Sequence, residues 1–139
     1  MSKEVVMKIV SSEDRASRKG EADWFTGNVW VDEIAVGADP SRVRLYRVSF
    51  EPGARSAWHT HPLGQVLHVL TGYGLVQKEG EPIQGIHPGD TVTIEPGERH
   101  WHGAAPGNTM VHLAMQEVND KGVGVVWLDK VTDAEYKGK

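Results

Sequence analysis

The stretch GARSAWHTHPLGQVLHVLTG, residues 53–72, decides the fold of this 139-residue chain. It carries His59 and His61 one residue apart, then a Pro62-Leu63-Gly64 turn signal, then Gln65 at the head of an apolar run. On an extended strand, residues i and i+2 share a face about 6.6 Å apart, whereas on a helix they diverge by roughly 200°. His59 and His61 therefore form a chelating pair only if the segment is extended. The turn is expected to return Gln65 on a neighbouring strand about 4.8 Å away, where its amide oxygen is a third possible ligand. A second block, GDTVTIEPGERHWH at residues 89–102, ends on another same-face pair, His100 and His102, and so offers a further imidazole.

Outward from these blocks the chain reads as short strands. Residues 28–36, 42–50, 65–71, 74–78, 91–95, 109–118 and 123–128 are rich in β-branched and aromatic residues and are separated by turn signals such as residues 38–41, 51–53, 88–90 and 96–97. Glycine (16) and proline (7) are abundant, as many short segments require. Helical period is confined to one or two turns, the best case being residues 132–135, where Thr132 and Glu135 make a capping-box pattern. The expectation is an all-β sandwich or barrel, one domain over residues 1–139, with the blocks at 53–72 and 89–104 as two halves of one barrel.

Composition removes whole classes of function. Cysteine is absent, so any metal must be held by nitrogen and oxygen ligands. Fifteen basic against nineteen acidic residues, with no long basic run, argue against nucleic acid as a partner. Apolar stretches are short and the start carries Lys3, Glu4 and Lys8, so neither a membrane span nor a signal peptide is expected, and a cytoplasmic location is. All seven histidines fall within residues 59–112, where an even spread would put about three. His68 and His87 read as ordinary surface histidines, and the five tryptophans as packing groups. In the strand at 109–118, Met110, His112, Ala114 and Gln116 share one face. Arg44 shares the face of Tyr46 and Val48 on the 42–50 strand. An apolar N-terminal strand and the 123–128 strand are available for pairing with another copy.

The spacings G-x5-HxH-x3-Q-x6-G at 53–72 and G-x6-PG-x2-H at 89–100 resemble the two consensus motifs of the cupin superfamily. The resemblance implies a small antiparallel jelly-roll barrel with one divalent ion per chain inside it, held by His59, His61, Gln65 and His100. Gln65 departs from the usual Glu, Glu95 replaces a common Pro, and Ala104 stands where Asn is often found. Further segments, at residues 22–27, 50–65, 100–106, 112–117 and 130–133, look like the small bacterial cupins that include manganese-dependent hydroxynitrile lyases. That likeness implies manganese first, with iron, nickel, cobalt or zinc as alternatives. It further implies a small-molecule substrate, a homodimer or homotetramer, His102, His112 and Gln116 as catalytic groups, and Arg44, Tyr46 and Val48 as substrate-binding positions.

A shell of three imidazoles and an amide leaves a divalent ion its full charge, which favours polarising a bound hydroxyl and disfavours oxidation of the metal. The reaction that the resemblance implies is cyanohydrin cleavage or formation, with His102 or His112 as general base and Gln116 orienting the leaving group. A cupin dioxygenase or decarboxylase acting on a small hydroxylated or dicarbonyl substrate is the alternative, followed by a ligand-binding cupin without turnover.

Overall fold

A computed structural model of the chain describes residues 6–138. Thirteen strands occur among the described residues. In chain order they are β1 (Arg18–Lys19), β2 (Phe25–Thr26), β3 (Val29–Val36), β4 (Val43–Phe50), β5 (Arg55–Ser56), β6 (His59–Thr60) and β7 (Gln65–Gly72). They continue as β8 (Gly74–Lys78), β9 (Gln84–Ile86), β10 (Thr91–Ile94), β11 (His100–Ala104), β12 (Met110–Glu117) and β13 (Val126–Trp127). Antiparallel pairing builds one sheet in the order β1-β3-β4-β12-β7-β10 and a second in the order β13-β6-β11-β5-β2, with β8 added to β11 and β9 to β8. This is the expected all-β jelly roll, although the two sheets stay separate instead of closing into one continuous barrel.

Period-2 alternation sends one face of each long strand into the space between the sheets. Along β7, Gln65, Leu67 and Val69 are buried, and along β12 Met110, His112 and Ala114 are. Val29, Val48, Phe50, Ala54, Ile86, Ile94 and Ala104 complete this core. The side chains that carry chemistry thus lie on the same inward faces as the apolar ones, Gln65 and Gln116 as cross-strand partners at one end and His112 between Met110 and Ala114.

Three details differ from the sequence reading. The turn after His61 does not return Gln65 to a neighbouring strand of the same sheet; it carries the chain from β6 across to β7 in the facing sheet. Gly64 makes that crossing at φ +79°, and a Cβ there would lie 2.7 Å from the Ile94 carbonyl oxygen. The His61 carbonyl accepts from the N–H groups of both Gly64 (3.2 Å) and Gly97 (3.1 Å), which ties the two motif blocks together. The strand expected at 123–128 contracts to β13, already paired with β6, because Asn119 Oδ1 holds the N–H groups of Lys121 and Val123 in a tight loop before it. Within the single chain the N-terminal segment joins neither sheet: Val6–Val10 is exposed and without strand pairing, while residues 1–5 lie outside the described residues.

The chain ends in the expected capped turn, α1 (Asp133–Tyr136), with reciprocal bonds between Thr132 and Glu135. Tyr136 packs with Trp58, Trp101 and Val131 in a second apolar cluster and donates to the Ala104 carbonyl at 2.6 Å. Buried Arg55 fastens this C-terminal segment: its guanidinium donates to the Val131 carbonyl and to Asp133 Oδ1, both at 2.8 Å, and lies over the Tyr136 ring. Arg55→Ala is expected to cost about 2–3 kcal/mol in urea denaturation, since it strands a buried carbonyl and empties a packed site. Asp133→Asn, at an exposed carboxylate, should change stability little; equal effects of the two would contradict this assignment.

Candidate metal centre and cavity

The pairing of β11 with β6 sets His100 directly opposite His59, and the extended His59–His61 segment brings the third imidazole to the same place. Each ring offers one nitrogen to a common point, with those atoms within 4.8 Å of one another, and all three residues are buried. What aims them is the backbone. Nδ1 of His59 bonds the Ala57 carbonyl at 2.8 Å, Nδ1 of His100 bonds the Glu98 carbonyl at 2.9 Å, and Nδ1 of His61 bonds the Gly124 carbonyl at 2.8 Å. A carbonyl only accepts, so each Nδ1 carries the hydrogen and each neutral ring is left with its Nε2 lone pair facing inward. The first two bonds use the same local device, a histidine folding back on the carbonyl two residues earlier.

Two observations test whether these residues fit a cation. Nε2 of His61 is buried without a hydrogen-bond partner. Oε1 of Gln65 lies 3.4 Å from Nε2 of His100, which places two acceptors against each other with no hydrogen to share. A divalent ion satisfies both, and the N3O donor set suits a first-row metal. The residues therefore fit the group that the motifs imply.

Burial lowers the imidazole pKa values throughout the site. His59 and His102 are held well below the ordinary 6.5, first by desolvation and then by neighbouring imidazoles, while burial pushes His100 and His112 down to about 4. At neutral pH these rings are uncharged, as metal ligands and proton acceptors must be.

A cavity of about 200 Å³ opens beside the imidazoles. Tyr46, Val48, Gln65, Gln116, His59, His61 and His102 line it, together with Phe25, Val31, Ala114, Val125 and Trp127. The Trp127 ring stacks on Trp24 at 5.5 Å and meets Phe25 edge-on at 5.6 Å, giving the cavity an aromatic wall. Nε2 of His102 is buried and unpartnered, and its Nδ1 is 3.0 Å from Nε2 of His112. His112 lies behind His102, fully buried, and does not line the cavity. Gln116 lines it, but the amide is engaged: Oε1 accepts from Gln65 Nε2 at 2.9 Å and Nε2 reaches the Gly124 carbonyl at 3.5 Å. Arg44 does not line the cavity; its guanidinium turns to the Val43 carbonyl.

His68 and His87 stay on the surface, on Thr91 and Asp90 respectively. Sequence reasoning missed Phe25, Val31, Val125 and Trp127 as cavity residues and Gly124 as the partner of His61. Val31 lies in the strand expected at 28–36, Val125 and Trp127 in that at 123–128, and Phe25 in the 22–27 segment, but none of these signals assigned them to a cavity.

Because the unfolded chain protonates its histidines below about pH 6.5 and the folded one resists this down to about pH 4, stability is complete above that window and is lost as pH falls through it. The melting temperature of the metal-free protein is expected to be level above pH 7 and to drop between about pH 6.5 and 4, with a shallower drop in His112→Asn. A flat profile across that window would contradict the buried neutral imidazoles.

Comparison with known proteins agrees with this geometry. Residues 46–116 match the family model described as a cupin domain. The chain is 53% identical over 131 residues to a protein of Granulicella tundricola named (R)-mandelonitrile lyase, covering 94% of this chain and 99% of the relative. The crystal structure of a cupin-like protein from Thermotoga maritima superposes with a TM-score of 0.80 at 43% identity, over 86% of this chain and 90% of the other. A polyketide cyclase from Streptomyces resistomycificus shares the fold at a TM-score of 0.72 and 19% identity, over 95% and 92% of the two chains. With the motif spacing, the jelly roll and the histidine cluster in agreement, the chain belongs to the cupin family.

Proposed function

We propose that the protein is a metal-dependent hydroxynitrile lyase that cleaves or forms aromatic cyanohydrins. The observation that carries the reading is the joint placement of three inward Nε2 lone pairs, the unpartnered Nε2 of His102 and an aromatic-walled cavity of about 200 Å³. The relative named (R)-mandelonitrile lyase, at 53% identity over nearly the whole chain, supports the same class of substrate.

His59, His61, Gln65 and His100 would hold a divalent ion, taken as manganese, which would supply a Lewis acid that makes a substrate hydroxyl more acidic. The chain's own groups do the rest. Phe25, Val31, Val48 and Trp127 give the aryl group an apolar berth and keep water from the carbonyl carbon. His102 serves as the general base, because it lines the cavity with its Nε2 left unpartnered while His112 does not line it and meets His102 Nδ1. With Nδ1–H of His102 donated to Nε2 of His112, the free lone pair lies at His102 Nε2 and takes the hydroxyl proton. As the C–O bond becomes a carbonyl, the C–C bond to the nitrile breaks and its electron pair leaves with cyanide. The proton on His102 then passes to cyanide, so the products are an aldehyde and hydrogen cyanide, with atoms and charge balanced. His112 keeps the His102 ring in that tautomer and shares the positive charge while the proton is held.

Manganese-loaded protein should release cyanide from (R)-mandelonitrile, and His59→Ala should lose both the metal and the release. No release above the metal-free control, or oxygen uptake in its place, would contradict the lyase reading. His102→Ala should retain bound manganese while kcat falls about 10²- to 10⁴-fold, the span of a lost general base. A comparable loss confined to His112→Ala, with His102→Ala unaffected, would exchange the two roles.

A further inference from the structure

The amide of a glutamine ligand has a polarity problem that a carboxylate does not have. Only Oε1 can face a cation; turned over, the side chain presents an NH2 group and the ligand is lost. Gln65 stands where cupins most often carry Glu, so something in this chain must distinguish the two ends of its amide.

We infer that Gln116 is a positioning residue that sets the orientation of Gln65, and that the Gly124 carbonyl is the fixed end of the relay. The inference rests on the metal reading above. Gln65 and Gln116 are direct cross-strand partners on β7 and β12, with side chains on the inward face. The Gly124 carbonyl accepts only, so Gln116 must turn Nε2 toward it, at 3.5 Å. That leaves Gln116 Oε1 toward β7, where it accepts from Gln65 Nε2 at 2.9 Å. Gln65 Oε1 is then the end left over, and it faces the imidazoles.

The same carbonyl takes the Nδ1 hydrogen of His61, so a single backbone group orients one ligand directly and a second through Gln116. Glycine at 124 makes room for this: a Cβ there would lie 3.3 Å from Gln116 Nε2 and 3.2 Å from Val118 Cγ1. Gln116 thus acts on the shell rather than on the leaving group, since both ends of its amide are engaged within the protein.

A double-mutant cycle separates orientation from a merely structural role. Manganese affinity is measured by chelator competition for the wild type, Gln116→Leu, Gln65→Glu and the double variant. Gln116→Leu is expected to weaken affinity about 10- to 100-fold in the wild-type background, as loss of a ligand's partner does. In the Gln65→Glu background it should cost less than about threefold, because a carboxylate presents oxygen whichever way it turns. Equal affinity of wild type and Gln116→Leu overturns the inference, and so does an equal loss in both backgrounds. The side-chain amide signals of Gln65 in the metal-free protein give an independent readout, and Gln116→Leu is expected to shift them and speed their hydrogen exchange. If wild-type protein binds no manganese, the metal reading fails by itself, and unchanged Gln65 amide signals would then overturn the orientation as well.

Discussion

Three backbone carbonyls, those of Ala57, Glu98 and Gly124, each hold the Nδ1 hydrogen of one imidazole, and the rest of the site depends on that constraint. A neutral histidine has one lone pair, and fixing the hydrogen on one nitrogen fixes the lone pair on the other. Without these bonds the rings could present either nitrogen, and their convergence would be an accident of packing. With them the site is preorganised by main chain, which is itself held by the sheet ladders and by the Gly64 crossing.

The cost of this arrangement is the burial of polar groups, and the fold meets it in two ways. The Nδ1 atoms of His59, His61 and His100 find carbonyls, while Nε2 of His61, Nε2 of His102 and Nδ1 of His112 have no partner within the protein. An unpaired buried polar atom is destabilising, and the proposed function gives two of these a partner from outside the protein, a cation for His61 and a substrate proton for His102. Desolvation works in the same direction by keeping the rings uncharged. The apolar wall of Phe25, Val31, Val48 and Trp127 sharpens the effect, because charge that develops beside it meets little competing water.

How much of this is legible in the sequence follows the distance over which each feature is specified. His59 and His61 are readable because a strand's period acts over two residues, and their carbonyl-backed tautomers rest partly on equally local bonds. The capping box of α1 is local too, and the structure has it where the sequence places it. Gln65 is readable as a residue but not in its position, since a three-residue turn does not reveal whether the chain comes back in the same sheet or crosses to the facing one. The contribution of Gly124 and Trp127 is not legible: His61 meets Gly124 across 63 residues, and β13 reaches β6 only through tertiary pairing. Arg44 shows the limit of parity, because it belongs to the register of Tyr46 and Val48 yet its long side chain turns away from the cavity. Within its own chain Val6–Val10 joins neither sheet, because apolar composition marks a segment as able to pair without naming the strand it pairs with.

In the proposed site, Nε2 of three histidines and Oε1 of Gln65 converge on one divalent ion beside the His102 ring. Anomalous scattering from a crystal of the manganese-loaded protein tests it most directly. One strong peak per chain is expected, about 2.0–2.3 Å from Nε2 of His59, His61 and His100 and from Oε1 of Gln65, with Nδ1 of each of these histidines still on its carbonyl. A peak elsewhere, ligation through any Nδ1, or Gln65 turned with its NH2 toward the ion would contradict it.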